Sequence, residues 1–183
     1  MNKSENSGIK KRGRKIREKN FFTRSAKELA PDLVGKYICT KDDSGNTVRL
    51  KITETEIYMG EDDGACHARH GKTDRTAPMY ENGGITYIYL VYGMHWLLNI
   101  VSGKKNEPEA VLVRACETAN GPGKLTKALG IDSSFKGESF LTSQRIWLED
   151  IGEQPKLRTD KRVGIDYAEP IWRDKLWRFI YDE

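Results

Sequence analysis

The sequence predicts an α+β fold, in which a single mixed domain has a curved, mainly antiparallel sheet, flanking helices and a protruding β-hairpin. A chain of 183 residues is long enough for one sizeable core and short for two. Five segments have the composition of strands. The connections between them are too short for helical crossovers, so we expect most of these strands to pair antiparallel.

The composition indicates a globular, water-soluble chain. Hydrophobic residues make up 37% and charged residues 32% of the sequence. No apolar run approaches the roughly 20 residues of a membrane span, and the N-terminus lacks the apolar region of a signal peptide. We therefore expect no membrane association and an intracellular protein, which would be cytoplasmic in a prokaryote and nuclear in a eukaryote.

Residues 1–19 are strongly basic. They contain eight lysines or arginines against Glu5 and Glu18, and few apolar residues. This pattern predicts a disordered arm that is attracted to a polyanion, although a solubilising tail would have the same composition. The folded domain is expected to span residues 20–183.

The elements of the domain follow in order. "FFTRSAKELAPDLVGKYI" (21–38) has helical spacing after a possible cap at Thr23, with Gly35 as its end. "GPGKLTKALG" (121–130) predicts a second helix, whereas "ESFLTSQRIWLED" is ambiguous between helix and strand. The predicted strands are "KYICTKDD", "VRLKITETEIYMG", "ITYIYLVYGM", "HWLLNIVSG" and "AVLVRACE".

"TYIYLVYGMHW" (86–96) predicts a strand that enters an unusual hairpin. The alternation of residues 86–90 fails at Val91, and Tyr-Gly-Met follows where Asn-Gly or Asp-Gly is usual. Tyr92 and Met94 would therefore be exposed at the tip. Exposed apolar side chains of this kind indicate a binding surface.

"ITETEIYMG" carries the first chemical candidates. On a strand, Glu54, Glu56 and Tyr58 share one face, with neighbours about 6.6 Å apart. A solvated strand face is the simplest interpretation. The alternatives are a carboxylate that activates water, or the two acids of an inverting O-glycosidase, which lie about 6.5 to 9.5 Å apart.

The combination of acid, rings and exposed tip favours an enzyme that cleaves a base from DNA. Such an enzyme has to extrude the nucleotide, fill the gap and hold the flipped base between rings. Tyr58, His67, Tyr87 and Tyr89 could supply the rings, and Tyr92 with Met94 at the hairpin tip could fill the gap. For Tyr87, ordinary sheet packing is the more natural role.

No metal and no cofactor are expected. Cys39, Cys66 and Cys116 are scattered and form no C-x-x-C motif. "CHARH" could be a partial metal site through Cys66, His67 and His70, but the sequence offers no second cluster of ligands.

Seven motifs occur in the order typical of one enzyme family: "FFTRSAKELAPDLVGKYI", "ITETEIYMG", "ACHARHGKT", "YIYLVYGMHWLLNIV", "VLVRACE", "GPGKL" and "RVGIDYA". From Phe21 to Phe179, the chain resembles the alkyladenine (3-methyladenine) DNA glycosylase family. The resemblance implies a monofunctional base-excision enzyme that acts, as a monomer, on damaged purines in double-stranded DNA. It also implies that the hairpin intercalates into the DNA.

The resemblance implies a role for each matching residue. Glu56 would be the general base that activates the water attacking C1′, and Arg114 would help to hold that water. The others are Tyr58, His67 and Tyr89 around the extruded base, Asn99 as the residue that selects against the exocyclic amine of guanine, and Tyr92 with Met94 as the intercalating tip.

Contacts with the DNA backbone are expected at two places. "GPGKL" has the glycines and lysine of a phosphate-binding helix start but lacks the G-K-[ST] ending of a nucleotide P-loop, so Gly121, Gly123 and Lys124 are candidates for the backbone. Arg69 and Lys72, close to the pocket motif, are further candidates, although a solvated loop would contain the same residues.

The chain departs from the family pattern at a few positions. Only residues 118–120 separate "VLVRACE" from "GPGKL", where a longer stretch is usual, so fewer contacts with flanking DNA are expected. Thr76 and Gly83 replace the usual Asn and Pro, which predicts a changed loop before the hairpin strand. His95 follows the wedge where another aromatic residue is common, which leaves its contact with the DNA open.

Two other functions stay open at this level. A non-catalytic protein could recognise lesions or bent DNA with the same hairpin and tail. A bifunctional glycosylase with lyase activity would need an amine nucleophile near C1′, and the pocket motifs contain no lysine placed for it.

Overall fold

The computed structural model describes residues 13–42 and 44–182, which form a mainly antiparallel sheet with short helices. This architecture confirms the predicted α+β class. The strands of the described residues are β1 (Arg14–Ile16), β2 (Tyr37–Lys41), β3 (Thr47–Met59), β4 (Thr86–Val91), β5 (His95–Ser102), β6 (Glu109–Cys116), β7 (Ala119–Asn120), β8 (Ile146–Asp150), β9 (Lys156–Asp160) and β10 (Arg178–Asp182). The helices are α1 (Lys19–Phe22), α2 (Ala26–Leu33), α3 (Pro122–Ala128) and α4 (Pro170–Arg173), with 3-10 turns at His67–His70, Ala77–Tyr80 and Ser133–Phe135.

The strand order is β1-β8-β2-β3-β6-β5-β4, and the pairs along it are antiparallel. Strand β3 is shared between two parts of the sheet. Its first residues pair with β2, and its second half pairs with β6 on one edge and β10 on the other. The register with β6 shifts on both sides of Glu54, as at a β-bulge, which bends a strand and re-aims its side chains.

Part of the predicted disordered tail is ordered. Strand β1 pairs with β8, and Ile16 is buried in the main core. Arg17 donates hydrogen bonds to the carbonyl oxygens of Phe140 and Ser143, at 2.8 and 2.9 Å. The predicted boundary at residue 19 is therefore wrong for residues 13–19, because one buried isoleucine and backbone pairing outweigh the high charge. Residues 1–12 lie outside the described residues.

The segment predicted as one helix forms two. Thr23 ends α1 rather than capping a longer helix, and α2 begins after Ser25. The N–H and the hydroxyl of Ser25 donate to Glu28 Oε2 at 3.1 and 2.8 Å, which ties the first turn together. Gly35 follows the helix at a φ of 88°, a conformation that suits glycine, so the predicted end is close to the observed one.

The C-terminal third contains more strand than the sequence indicated. The ambiguous segment "ESFLTSQRIWLED" provides β8, whose residues 146–149 are buried. Strands β9 and β10, with the short α4 between them, were not predicted. Within residues 13–42 and 44–182, no helix is long and apolar enough to cross a lipid bilayer.

The two faces of the central sheet have different roles. One face packs Ile57, Val113 and Ile100 into the main core together with Leu29 of α2 and Leu125 of α3. The opposite face carries a smaller buried cluster that includes Tyr87, Val101 and Ala110, under the 3-10 turns. The first face forms the core that stabilises the domain, and the second face is available to form a binding site.

Gly83 explains how the chain enters the hairpin. A Cβ atom at this position would lie 2.1 Å from the carbonyl oxygen of Phe22, a distance that no side chain tolerates. Its N–H donates to the carbonyl oxygen of Gly103 at 2.9 Å. The end of α1 therefore packs directly on the loop before β4.

Candidate active site

One row of side chains crosses four strands on the second face of the sheet. Tyr87 pairs with Asn99, Asn99 with Leu112, and Leu112 with Glu56. Residues directly opposite each other in antiparallel strands point to the same face. The row therefore brings the predicted general base and the predicted selectivity residue into one surface.

This surface is one wall of a cavity of about 350 Å³. The opposite wall comes from the 3-10 turns and from the loop that follows β9. Six of the predicted site residues line the cavity: Tyr58, His67, Tyr89, Tyr92, Asn99 and Arg114. Its volume lies within the range of about 300 to 1,000 Å³ that is typical of small-molecule sites.

Glu56 has no exposed side-chain area and contacts three residues of the cavity wall. Its Oε2 accepts a hydrogen bond from the Tyr58 hydroxyl at 3.1 Å, and its Oε1 accepts one from the Val163 N–H at 2.9 Å. Arg114 Nε lies 3.5 Å from Oε1. The carboxylate is therefore held by groups from β3, β6 and the loop after β9.

Burial raises the pKa of Glu56, against the opposing effects of the Arg114 charge and the hydrogen bonds from Val163 and Tyr58. Desolvation disfavours the charged carboxylate, while a neighbouring cation and N–H donors favour it. A carboxyl group tuned upward in this way is a stronger base once it is ionised.

Glu54 contacts two arginines next to the cavity but does not line the cavity itself. Its Oε1 lies 3.0 Å from Arg114 Nε and 2.9 Å from Arg178 Nη1. Glu54 and Glu56 thus lie on one face and share Arg114, as the strand pattern predicted. Glu54 is bound to two arginines and does not line the cavity, which argues against the O-glycosidase alternative.

Three aromatic rings from two segments meet inside the cavity. The ring centres of His67 and Tyr89 are 4.5 Å apart, and those of Tyr87 and Tyr89 are 5.5 Å apart. His67 Nδ1 lies 2.9 Å from the Tyr87 hydroxyl oxygen. Tyr87 is buried in the sheet, as expected, and it also lines the cavity. Burial raises the pKa of Tyr58, Tyr87 and Tyr89, so these phenols are uncharged at neutral pH.

Lowering the pH should destabilise the fold through His67. Burial, reinforced by the charges of Arg75 and Arg69, lowers the pKa of His67 from 6.5 to about 4. The unfolded chain therefore binds the proton first, and the free energy of unfolding falls as the pH drops from about 6.5 to about 4. Urea unfolding at several pH values measures this dependence, which should be weaker in His67→Gln. An equal dependence in both proteins would contradict the assignment.

The tip of the β4–β5 hairpin exposes the two predicted apolar side chains. Tyr92 is 89% and Met94 70% exposed. Tyr92 and Gly93 have φ values of 51° and 69°, and the Met94 N–H donates to the Val91 carbonyl oxygen at 3.2 Å. Two consecutive positive φ values are typical of a type I′ turn, so a tyrosine occupies a position that Asn or Gly usually takes.

The predicted backbone contacts fall into two groups, at the start of α3 and near the 3-10 turn at His67–His70. Gly121, Gly123 and Lys124 line a groove of about 300 Å³ together with Tyr92, at the start of α3. A Cβ atom at Gly123 would lie 3.1 Å from the His95 ring, so the helix start packs closely on the hairpin.

Arg69 and Lys72 form the second group. Arg69 donates to the Cys66 carbonyl oxygen at 3.2 Å and its guanidinium lies 5.3 Å from the centre of the Tyr167 ring, while Lys72 is exposed. Neither residue lines the cavity, although Arg69 contacts Tyr167, which does.

Several residues of the site were not predicted from the sequence. Val163 and Tyr167 line the cavity, and Tyr167 is 61% exposed. They belong to "RVGIDYA", a motif that carried the family resemblance but received no role. Val163 acts through its backbone N–H, a group that every residue except proline has, so its side chain gave no signal.

The residues considered for a metal site do not form one. Among the side chains in residues 13–42 and 44–182, no group of three or more His, Cys, Asp or Glu is placed to hold a metal ion. Burial raises the pKa of the Cys66 thiol to about 11, so the thiolate that metals prefer is disfavoured. The absence of a metal and of a cofactor stays a prediction.

A comparison with protein families gives one match, described as methylpurine-DNA glycosylase (MPG). The match covers residues 20–120 and 116–183, which together make up nearly all of the chain beyond the basic tail. The two matched segments meet at residues 116–120. They include residues 118–120, the connection that the family resemblance predicts to be shorter than usual.

Curated relatives agree with this match. A protein of Psychrobacter cryohalolentis is 38% identical over 90% of this chain and 91% of its own length. Relatives from Natranaerobius thermophilus and Borreliella afzelii are each 39% identical, over 87% and 90% of this chain and 91% and 95% of their own lengths. All three are named provisionally as 3-methyladenine DNA glycosylases. The resemblance noted in the sequence is therefore confirmed, and the chain belongs to the methylpurine-DNA glycosylase family of DNA glycosylases, which hydrolyse N-glycosidic bonds.

Proposed function

We propose that the protein removes alkylated or deaminated purines from double-stranded DNA in base-excision repair and leaves an abasic site. One observation carries the proposal: Glu56 is buried against Tyr58, Arg114 and the Val163 N–H, all of which belong to the wall of an aromatic cavity. A cavity of this size can hold a purine, and a carboxylate beside it can activate a water molecule next to the bound base.

The damaged nucleotide first leaves the base stack and enters the cavity. Tyr92 at the hairpin tip fills the gap, and Tyr58, His67 and Tyr89 surround the extruded base. An alkylated purine often carries a positive charge, and a cation against an aromatic ring gains roughly 0.5 to 2 kcal/mol. Uncharged tyrosines thus favour the damaged base over the neutral normal one.

The chemical step is a displacement at C1′ by water. The oxygen of water bonds to C1′, the electrons of the glycosidic bond leave with the purine, and Glu56 accepts the proton. An alkylated, cationic purine departs as a neutral base, so one carboxylate is sufficient for it, whereas a neutral deaminated purine departs as an anion and takes up a proton from water. Arg114 lies close enough to stabilise the carboxylate and to hold the water.

Asn99 is proposed to exclude normal guanine. Its Nδ2 donates to the Tyr87 carbonyl oxygen at 3.1 Å, and the side chain is buried, so its amide cannot move aside. The exocyclic amine of guanine would therefore contact an Asn99 side chain that cannot rotate to accommodate it. The cost is largest where no hydrogen-bond partner is available.

A base-release panel tests the proposal. Duplexes that carry an alkylated purine, hypoxanthine or an etheno-adduct are incubated with the full chain, and the free base is quantified. We expect free base and an alkali-labile abasic site without strand cleavage. Borohydride should trap no protein–DNA adduct, because trapping would indicate the lyase alternative. Binding to the lesion without release from any duplex would contradict the proposed enzyme.

The basic tail gives a separate prediction. Removing residues 1–12, which contain Lys3, Lys10, Lys11 and Arg12, should reduce the slope with which DNA affinity falls as salt increases. The cut is placed before Gly13 so that β1 and its pairing with β8 stay intact. Affinity for duplex DNA is measured over a series of salt concentrations. An unchanged slope would show that the tail does not contact the DNA.

A further inference from the structure

A fully buried ion pair, Asp63–Arg162, lies beside the candidate active site. Neither side chain has exposed area. Arg162 Nη1 and Nη2 donate to Asp63 Oδ2 and Oδ1 at 2.6 and 2.9 Å. This bidentate pairing fixes the orientation of both side chains. Asp63 also accepts the N–H groups of Met59 and Ala65, at 3.1 and 3.0 Å.

Arg162 connects this pair to the strand that carries the general base. Its Nη1 also donates to the carbonyl oxygen of Ile57 at 2.9 Å, and Ile57 directly follows Glu56 on β3. The guanidinium lies 4.9 Å from the centre of the Tyr58 ring, whose hydroxyl donates to Glu56. The arginine is thus fixed relative to Ile57 and Tyr58, the two residues that follow Glu56 on β3.

The next residue in the chain is Val163, which donates its N–H to Glu56 Oε1 at 2.9 Å. Val163 lies outside the strands, and its side chain is 44% exposed, so packing of that side chain does not hold the loop in place. The buried contacts of Arg162 hold the chain immediately before this N–H, and Ile165 packs after it in a buried cluster with Ala65. The N–H that reaches Glu56 is therefore positioned through Arg162.

The energetics of buried ion pairs favour a positioning role. Removing two charges from water offsets most of their attraction, and an apolar pair of similar volume often stabilises a fold equally well. We propose that Asp63 and Arg162 act as positioning residues for the hydrolysis, by fixing the Val163 N–H on Glu56 so that the carboxylate is oriented to accept a proton from water. This inference rests on the proposed role of Glu56 as the general base.

Loss of the Val163 contact should move the acidic limb of the pH–rate profile to higher pH. A hydrogen bond to an ionised carboxylate lowers its pKa, so its loss raises the pKa of Glu56 further, and base release needs the ionised form. The other charged or titratable groups that face Glu56 are unchanged by this loss. They are Glu54 and Tyr58 on β3, Tyr89 on β4, Arg114 on β6 and Arg178 on β10.

The test replaces the pair by an apolar one, Asp63→Leu with Arg162→Met, in the full chain. Thermal unfolding, affinity for lesion-containing duplex and single-turnover base release are measured over a range of pH. We expect a folded protein that binds the lesion-containing duplex with wild-type affinity. Its rate of base release should be about 10- to 100-fold lower, the usual effect of removing a group that orients a functional side chain, and the acidic limb of its pH–rate profile should lie at higher pH. A folded variant with wild-type rate and limb would overturn the proposal.

A matched control removes another largely buried ion pair of β3. Arg49 Nε lies 2.8 Å from Glu149 Oε2, at the opposite end of the strand, and neither residue lines the cavity. Arg49→Met with Glu149→Leu should leave the rate and the acidic limb unchanged. An equal loss of rate in the control would attribute the effect to general destabilisation and would overturn the positioning role.

A second variant, Val163→Pro, leaves both members of the ion pair in the chain and removes the N–H that reaches Glu56. It lies on an exposed loop position, so it also decides the question if the apolar pair does not fold: a raised acidic limb supports the proposal, and an unmoved limb overturns it. Glu56→Gln is assayed in parallel. Full activity of Glu56→Gln would refute the proposed function itself, whereas an inactive Glu56→Gln with unaffected pair variants refutes only this inference.

Discussion

Replacing Glu56 by glutamine should lower the single-turnover rate of base release by about 10²- to 10⁴-fold, the usual contribution of a general base. Glutamine has nearly the same shape and can still accept one hydrogen bond from Val163 or Tyr58, but it cannot take a proton from water. The affinity for lesion-containing duplex should stay close to that of the wild type. Release of the free base from an etheno-adduct duplex measures the rate.

Glu109→Gln is the matched control for this experiment. Glu109 is another partly buried glutamate whose pKa is raised by burial, and it accepts the Ala26 N–H at 2.6 Å at the start of α2. It does not line the cavity, so its replacement should leave the rate unchanged. If Glu56→Gln released base as fast as this control, Glu56 would not be the base.

Replacing Tyr92 by alanine should weaken binding to duplex DNA about tenfold or more, since extruding a base costs a few kcal/mol that a gap-filling side chain offsets. Binding to single-stranded DNA with the same lesion should change little, because a single strand leaves no gap to fill. Tyr92 is well suited to the comparison, since 89% of it is exposed and its removal disturbs no core. Fluorescence anisotropy with the two substrates gives both affinities.

Tyr92→Phe serves as the control, because it keeps the ring at the tip and loses only the hydroxyl. It should bind duplex DNA with nearly the wild-type affinity. Equal losses on duplex and single strands for Tyr92→Ala would place the side chain on the DNA surface rather than between base pairs.

Strand periodicity accounts for the part of the site that the sequence could predict. Glu54, Glu56 and Tyr58 alternate on β3, and Tyr87 and Tyr89 alternate on β4, so each set had to share a face. The hairpin was predictable in the same way, from the break in alternation before Tyr92. The roles of these residues came from the family resemblance and stay predictions.

The remaining parts depend on contacts between residues far apart in the chain. Ile16 forms part of the core only because β8 offers an edge to pair with, and nothing within "RKI" indicates that edge. Nothing in the sequence around Arg162 distinguishes it from a surface arginine. It is buried because it pairs with Asp63, which lies 99 positions earlier in the chain. Local patterns of two or four residues contain no information about such partners.

The residues that contact Glu56 and Glu54 from the C-terminal part of the chain have a consequence for the synthesis of the protein. Val163 follows Glu56 by 107 positions, and Arg178 follows Glu54 by 124, so both contacts form only when the last segment of the chain has been made. A growing chain can already pair β2, β3, β5 and β6 while its carboxylate still lacks these partners. A protein shortened before residue 162 would lack both partners, so we expect it to release no base even where its remaining strands pair.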